Sequence, residues 1–187
     1  KIAEIEKINE NRKNRFIGEA RFLRGLYYFN LVRYFGDVPL ILDLKTVYDA
    51  VIARSPKTEV YNQIIEDLTF AEANLPLRSE YSNSDEGRVN RGAAKILLGK
   101  VYLTQGEFQK AKDKLAEVVE NESTYGFELH ENYKANWLRE TEAGVEAVLY
   151  LEYMEPPFKN NGEMSLAGPK YSVPEPIGVA AMNEADI

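Results

Sequence analysis

The sequence predicts a mainly α-helical fold: antiparallel helix pairs, one loop insertion, and an irregular, proline-rich C-terminal tail. Three observations predict it. Successive stretches carry apolar residues at the three-and-four spacing of a helix. Glycine and proline punctuate their ends. The last two helices match a helix-pair repeat of which the first two are a broken copy.

Lys1 to Asn14 sets Ile2, Ile5 and Ile8 at a spacing of three among charged residues, a modest amphipathic signal. From Phe16 to Phe35 the signal strengthens: Ala20, Leu23, Tyr27, Leu31 and Tyr34 recur at three or four, with Phe22, Leu26 and Phe29 widening the stripe. A helix so apolar around its circumference is expected to be buried among others. Gly36-Asp37-Val38-Pro39 ends it, with Asp37 expected to bond nearby backbone amides and fix the turn. Leu40 to Arg54 has no sustained period and reads as a loop.

Ser55-Pro56 opens the next helix, Ser as N-cap and Pro in the first turn. Val60, Ile64, Leu68 and Ala71 carry the period to Leu75, and Pro76 closes it. Leu77 to Val89 is a solvated loop. Asn90 caps a third helix from Arg91 to Thr104; Gly106 breaks it, and a fourth runs from Glu107 to about Glu120. After Gly126 the pattern loosens. Val145 to Tyr153 alternates and is the best strand candidate. Beyond it, Pro156, Pro157, Pro169, Pro174 and Pro176 forbid long regular elements. The organisation expected is a helical domain over 1–153 and an irregular tail over 154–187, the start of a missing C-terminal region.

Leu98-Gly99-x-x-Tyr102 followed by Ala111-x-x-x-Leu115 has the spacing of the tetratricopeptide pattern, with Leu in place of Phe. Gly99 and Ala111 let two helices approach, while Phe108 and Val118 fall where the second helix should face the first. Gly25-x-x-Tyr28, then Ile64-x-x-x-Leu68 with Pro76, is the broken copy, with 27 residues inserted between its helices. An insertion there lands on one edge of the stack, where binding loops are tolerated.

Composition excludes several classes. A net charge of −7 and no Lys/Arg stripe argue against nucleic acid. The absence of cysteine excludes disulfides, thiolate metal sites and cysteine nucleophiles. No apolar run approaches the ~20 residues that span a bilayer. The charged start carries no signal peptide, so export would need a targeting segment upstream.

Glu19 to Leu40 (EARFLRGLYYFNLVRYFGDVPL) closely resembles the signature helix of the SusD/RagB family of nutrient-uptake proteins. Ala53-Arg54-Ser55-Pro56 with Val60-Tyr61, and Gly87-Arg88-Val89-Asn90-Arg91-Gly92-Ala93-Ala94, resemble the entries to that family's next two helices. The resemblance implies a SusD-like fold and a surface-exposed lipoprotein of the outer membrane in Bacteroidetes-like bacteria. It implies capture of an oligosaccharide for a TonB-dependent, SusC-like transporter. The lipid anchor would lie upstream of this chain. Rival readings are a tetratricopeptide scaffold for a protein partner and, further off, a glycan-active hydrolase.

Catalytic signatures are scarce. His130 is the lone histidine, without a zinc-helix partner or a nucleophile elbow. Asp85-Glu86, and Glu140 with Glu142, are carboxylate pairs of the kind that glycoside hydrolysis uses, but both read as solvated surface. The expectation is a binding protein without catalytic residues, metal or cofactor. Arg21, Arg24 and Arg33 are expected to pair with carboxylates or snorkel.

Sugar faces pack their C–H groups on aromatic rings, so exposed aromatics are the ligand candidates. Tyr27, Tyr28, Tyr34, Tyr61 and Tyr102 lie in helical stripes and are assigned to the core. Tyr81, in the polar loop, and Tyr153, Phe158 and Tyr171, near the tail, are candidates for touching ligand. Trp137, four residues after Tyr133, is a candidate too, although its helical spacing favours packing.

Overall fold

A computed structural model of the chain describes residues 9–43, 52–82, 85, 87–138 and 144–150, all within one compact unit that spans 1–150. Helix α1 runs Glu10–Phe35, α2 Lys57–Asn74, α3 Arg91–Thr104, α4 Phe108–Glu120, and the short α5 Glu122–Tyr125. Each of the first four packs on the next, so two antiparallel pairs stack through α2 and α3. Single 3-10 turns at Arg78–Glu80 and Tyr133–Trp137 punctuate the connections.

The core lies along that stack. Phe22 and Phe29 of α1, Ile64 and Leu68 of α2, and Leu98 and Val101 of α3 are sealed from solvent. Burying each such side chain contributes about 1.5–3 kcal/mol. The repeat is visible as a contact. A Cβ added at Gly99 would meet Leu115 Cγ at 2.7 Å, and one added at Gly25 would meet Leu68 Cγ at 3.2 Å. The first pair lies 16 residues apart in sequence and the second 43, which reproduces the 27-residue insertion. Because α4 sits directly on Gly99, Gly99→Val is expected to cost about 1–3 kcal/mol by overpacking. Urea denaturation of the variant beside the parent chain measures that loss.

Helix α1 departs from expectation. Its buried face is Gly18, Phe22, Gly25, Phe29 and Val32. The stripe Leu23, Tyr27, Leu31 and Tyr34 faces outward instead, with Tyr27 64% and Tyr34 77% exposed. Glycines decide which face is buried, since only there can the α2 backbone and Leu68 and Leu75 come close. Tyr27 and Tyr34 are therefore not core, whereas Tyr28, Tyr61 and Tyr102 do pack against it. Phe108 is likewise 69% exposed at the first turn of α4, while Val118 is buried as expected.

The capping of α2 also differs. Ser55 forms an antiparallel bridge with Val38, and Pro56 occupies the cap without a side-chain bond. Asp37 supplies the cap: its Oδ1 accepts from the Lys57 amide at 2.8 Å. Its carboxylate thus ties the end of α1 to the start of α2, rather than fixing its own turn. Tyr28 Oη accepts from the Ile41 amide at 2.7 Å and holds the same loop against α1. Asn90 caps α3 as expected, its Oδ1 accepting from Ala93 N–H at 2.9 Å. The strand expected over Val145 to Tyr153 is absent across residues 144–150, which form turns and bends; its last three residues lie outside the described part. Glu128 N–H donates to Val145 O at 3.2 Å, and that contact holds the segment in place of a sheet partner.

Candidate functional site

Two features of the described residues present chemistry to a ligand. The first is a cavity of about 180 Å³ at the entry to α3, lined by Arg78, Tyr81, Asp85, Arg88, Asn90 and the 147–150 segment. Arg15 and Arg88 close a ring of charge with Glu19 and Asp85 at its rim: Arg15 Nε to Glu19 at 3.1 Å, Arg88 to Glu19 and to Asp85 at 2.8 Å, and Arg15 to Asp85 at 3.3 Å. Two cations meet two anions, so the ring is neutral. Desolvation, which would raise Asp85, is outweighed by hydrogen bonds from Arg15 and Ser82, and the carboxylate stays below its usual range. Arg78 donates to the carbonyls of Gly126, Ala147 and Gly144 and so holds the far wall of the cavity.

Tyr81 was expected to be exposed in a polar loop; it is half-buried. Its hydroxyl donates to Val89 O at 2.6 Å, and Arg15 lies 4.5 Å from its ring centroid. Burial, with Glu19 nearby, pushes the phenol up to about 12. It remains a neutral hydrogen-bond donor that fixes one wall of the cavity.

The second feature is an aromatic pair. Tyr133 and Trp137 sit on one 3-10 turn, ring centroids 6.4 Å apart and edge to face, and each is 75% exposed. The packing role favoured for Trp137 is not met. The turn is a single short 3-10 stretch, and both rings stand out from it into solvent, with no described element covering them. Glu146 braces the turn: its carboxylate accepts from His130 N–H at 2.8 Å and from Asn136 Nδ2 at 2.9 Å. His130 is thereby a backbone anchor. Tyr133, not singled out from the sequence, joins Trp137 here; the signal was the i, i+4 spacing itself.

Tyr153, Phe158 and Tyr171, and the carboxylates Glu86, Glu140 and Glu142, lie outside the described residues. The α1 arginines behave as expected. Arg24 pairs with Asp67, Arg21 reaches Glu66 at 3.3 Å, and Arg33 lies over the Phe29 ring. Among the described residues no group of acidic or histidine side chains is arranged to hold a metal, and no helix is long and apolar enough to cross a membrane.

Residues 1–103 match the SusD-like family, described as starch-binding and associating with the outer membrane. The chain belongs to the SusD-like family. A SusD-like protein, P2, of Formosa agariphila is 34% identical over 151 residues, covering 78% of this chain and 29% of that protein. A SusD-like protein of Bacteroides ovatus is 31% identical over 159 residues, covering 79% and 28%. Among solved structures, a laminarin-binding SusD-like protein superposes with a TM-score of 0.70 at 38% identity, covering 80% of this chain and 32% of that one. A SusD homologue from Bacteroides thetaiotaomicron reaches 0.74 at 27% identity, covering 86% and 32%. This SusD-like chain therefore spans less than a third of the length of each of these relatives. The mainly helical SusD-like fold expected from Glu19–Leu40 and the repeat is the one observed.

Proposed function

We infer that this chain is the helical part of a glycan-binding protein that captures oligosaccharide at the outer-membrane surface and delivers it to a SusC-like, TonB-dependent transporter. Binding and hand-over are its task, without covalent chemistry. In a chain of this family, the observation that carries the reading is the exposed Tyr133–Trp137 pair. Two rings held by a braced turn give C–H faces of a sugar a surface to pack on, at little cost in side-chain freedom. The laminarin-binding relative supports a glycan as the ligand class, and the family description supports the outer membrane as the place. Tyr81 contributes to the cavity wall. Tyr153, Phe158 and Tyr171 remain further candidates for contact on the same stacking argument.

Calorimetric titration with laminarin-derived and malto-oligosaccharides tests this, with the sugar recovered afterwards and sized. Saturable heat with intact sugar is the expected result. Cleaved sugar, with cleavage lost on replacing one carboxylate, would turn the reading to a hydrolase. No heat with any glycan, alongside binding of a protein partner, would turn it to a scaffold.

A further inference from the structure

Asn90 is only 5% exposed and lines the cavity beside Tyr81. Its Oδ1 is committed to the Ala93 amide, which orients the side chain and turns Nδ2 away from the helix. That NH2 group meets no acceptor among the described residues. A buried donor without a partner is destabilising, so such groups mark places where something else supplies the acceptor.

The rest of the lining says what that is. The charges at the rim neutralise one another, and the Arg78 guanidinium serves backbone carbonyls, so nothing calls for an anionic ligand. Asn90 Nδ2 offers a donor and the Asp85 carboxylate offers acceptor oxygens, and the rings of Tyr81 and Tyr150 supply apolar wall. At about 180 Å³ the cavity is smaller than the ~300 Å³ at which pockets for larger organic ligands begin. We propose that this cavity is a second ligand site that holds one neutral sugar residue, with Asn90 Nδ2 donating to a ring or hydroxyl oxygen. It rests on the glycan reading for the choice of sugar over other polyols. The residue held is either a free monosaccharide or the end of a glycan chain.

The test is a titration of isotope-labelled chain followed by the Asn90 side-chain amide and the Trp137 indole N–H resonances. Probes are D-glucose, D-galactose and D-mannose, with laminaritriose as the chain-end arm and glycerol as the control. The expected result is a saturable shift of the Asn90 amide with at least one sugar and none with glycerol. Asn90→Ser keeps a side-chain cap for α3 and removes the NH2, so it should weaken that binding about tenfold while leaving the melting temperature in place. A shift with laminaritriose alone assigns the cavity to a chain end; a shift with the monosaccharides assigns it to free sugar. An unmoved Asn90 amide with every sugar would mean that water alone fills the cavity and would overturn the proposal, as would full binding by Asn90→Ser. Laminaritriose moving Trp137 but not Asn90 would remove the cavity site and keep the aromatic platform; the reverse would remove the platform.

Discussion

Replacing Asp67 with alanine is expected to remove about 3–5 kcal/mol of stability, a large share of what a domain of this size holds. Asp67 is fully buried in α2. Arg24 of α1 grips it through two parallel bonds of 2.7 and 2.6 Å, and Gln63 donates a third at 3.1 Å. The pair joins α1 to α2 through residues 43 positions apart in sequence. Hydrogen bonds donated to Asp67, set against partial burial, hold the Arg24 guanidinium above its ordinary range. Taking the carboxylate away leaves that cation half in the core with its donors unmet, which is why the loss exceeds that of a surface pair. Arg21, near Glu66 as well as Asp67, cannot substitute, because its guanidinium lies 3.9 Å from Asp67 Oδ1 and its main partner is exposed. Urea titration of Asp67→Ala and Asp67→Asn checks this; the asparagine keeps the shape and should lose less. A change within about 0.5 kcal/mol for both, the range of ordinary surface substitutions, would show that the pair carries no weight.

The second large effect lies between the two helix pairs. Lys95 of α3 is 4% exposed and pairs with Glu72 of α2 at 3.2 Å and with Glu117 of α4. Burial alone would pull its ammonium down; hydrogen bonds to Glu117, Tyr125 and Glu72 outweigh it and push the group up to about 12. The unfolded value is 10.5. A folded value above the unfolded one means that the contribution is whole below pH 10.5 and is lost as pH rises through about 12. The shift corresponds to about 2 kcal/mol. On the acid side, the bond from Lys95 holds Glu117 below its ordinary 4.5, so its contribution is present above that value and falls away as pH drops. Lys95→Met is expected to lose about 2 kcal/mol near neutrality, because Glu72 keeps Lys114 at 2.7 Å and Glu117 keeps the Tyr125 hydroxyl at 3.0 Å. Its alkaline decline should be shallower than the parent's. Part of that decline persists, since Tyr81 also loses its contribution as pH climbs from 10 toward about 12. Denaturation midpoints from pH 5 to 12 on both proteins decide it, and parallel curves would contradict the account.

How much of this was legible in the sequence depends on what kind of signal each part left. Helix ends marked by glycine or a capping amide came through: Gly36 and Gly106 both adopt positive φ, and Asn90 caps α3. So did the repeat, because Gly99 and Gly25 record where Leu115 and Leu68 of the neighbouring helix press onto the backbone. The orientation of α1 did not. Its large apolar residues run nearly all the way round, so their period could not say which side faces α2; the small residues at Gly18 and Gly25 could. The Asp37 cap was hidden because its partner, the Lys57 amide, lies 20 residues away, beyond any local pattern. At the site, Trp137 was picked out by residue type, but its exposure follows from the 3-10 turn and the Glu146 brace, neither of which has a period to read. Asn90 was visible only as a cap. Its second role depends on a cavity formed with residues more than 50 positions further along the chain.

Oligosaccharide affinity before and after Trp137→Ala tests whether the Tyr133–Trp137 pair recognises glycan. Trp137 is exposed and touches the core nowhere among the described residues, so the variant should melt with the parent chain. A laminarin- or starch-derived oligosaccharide bound by the parent chain is expected to bind the variant about tenfold more weakly or worse, as loss of a central aromatic anchor does. Equal affinity in the two proteins, at equal stability, would contradict it and place glycan recognition away from the Tyr133–Trp137 pair.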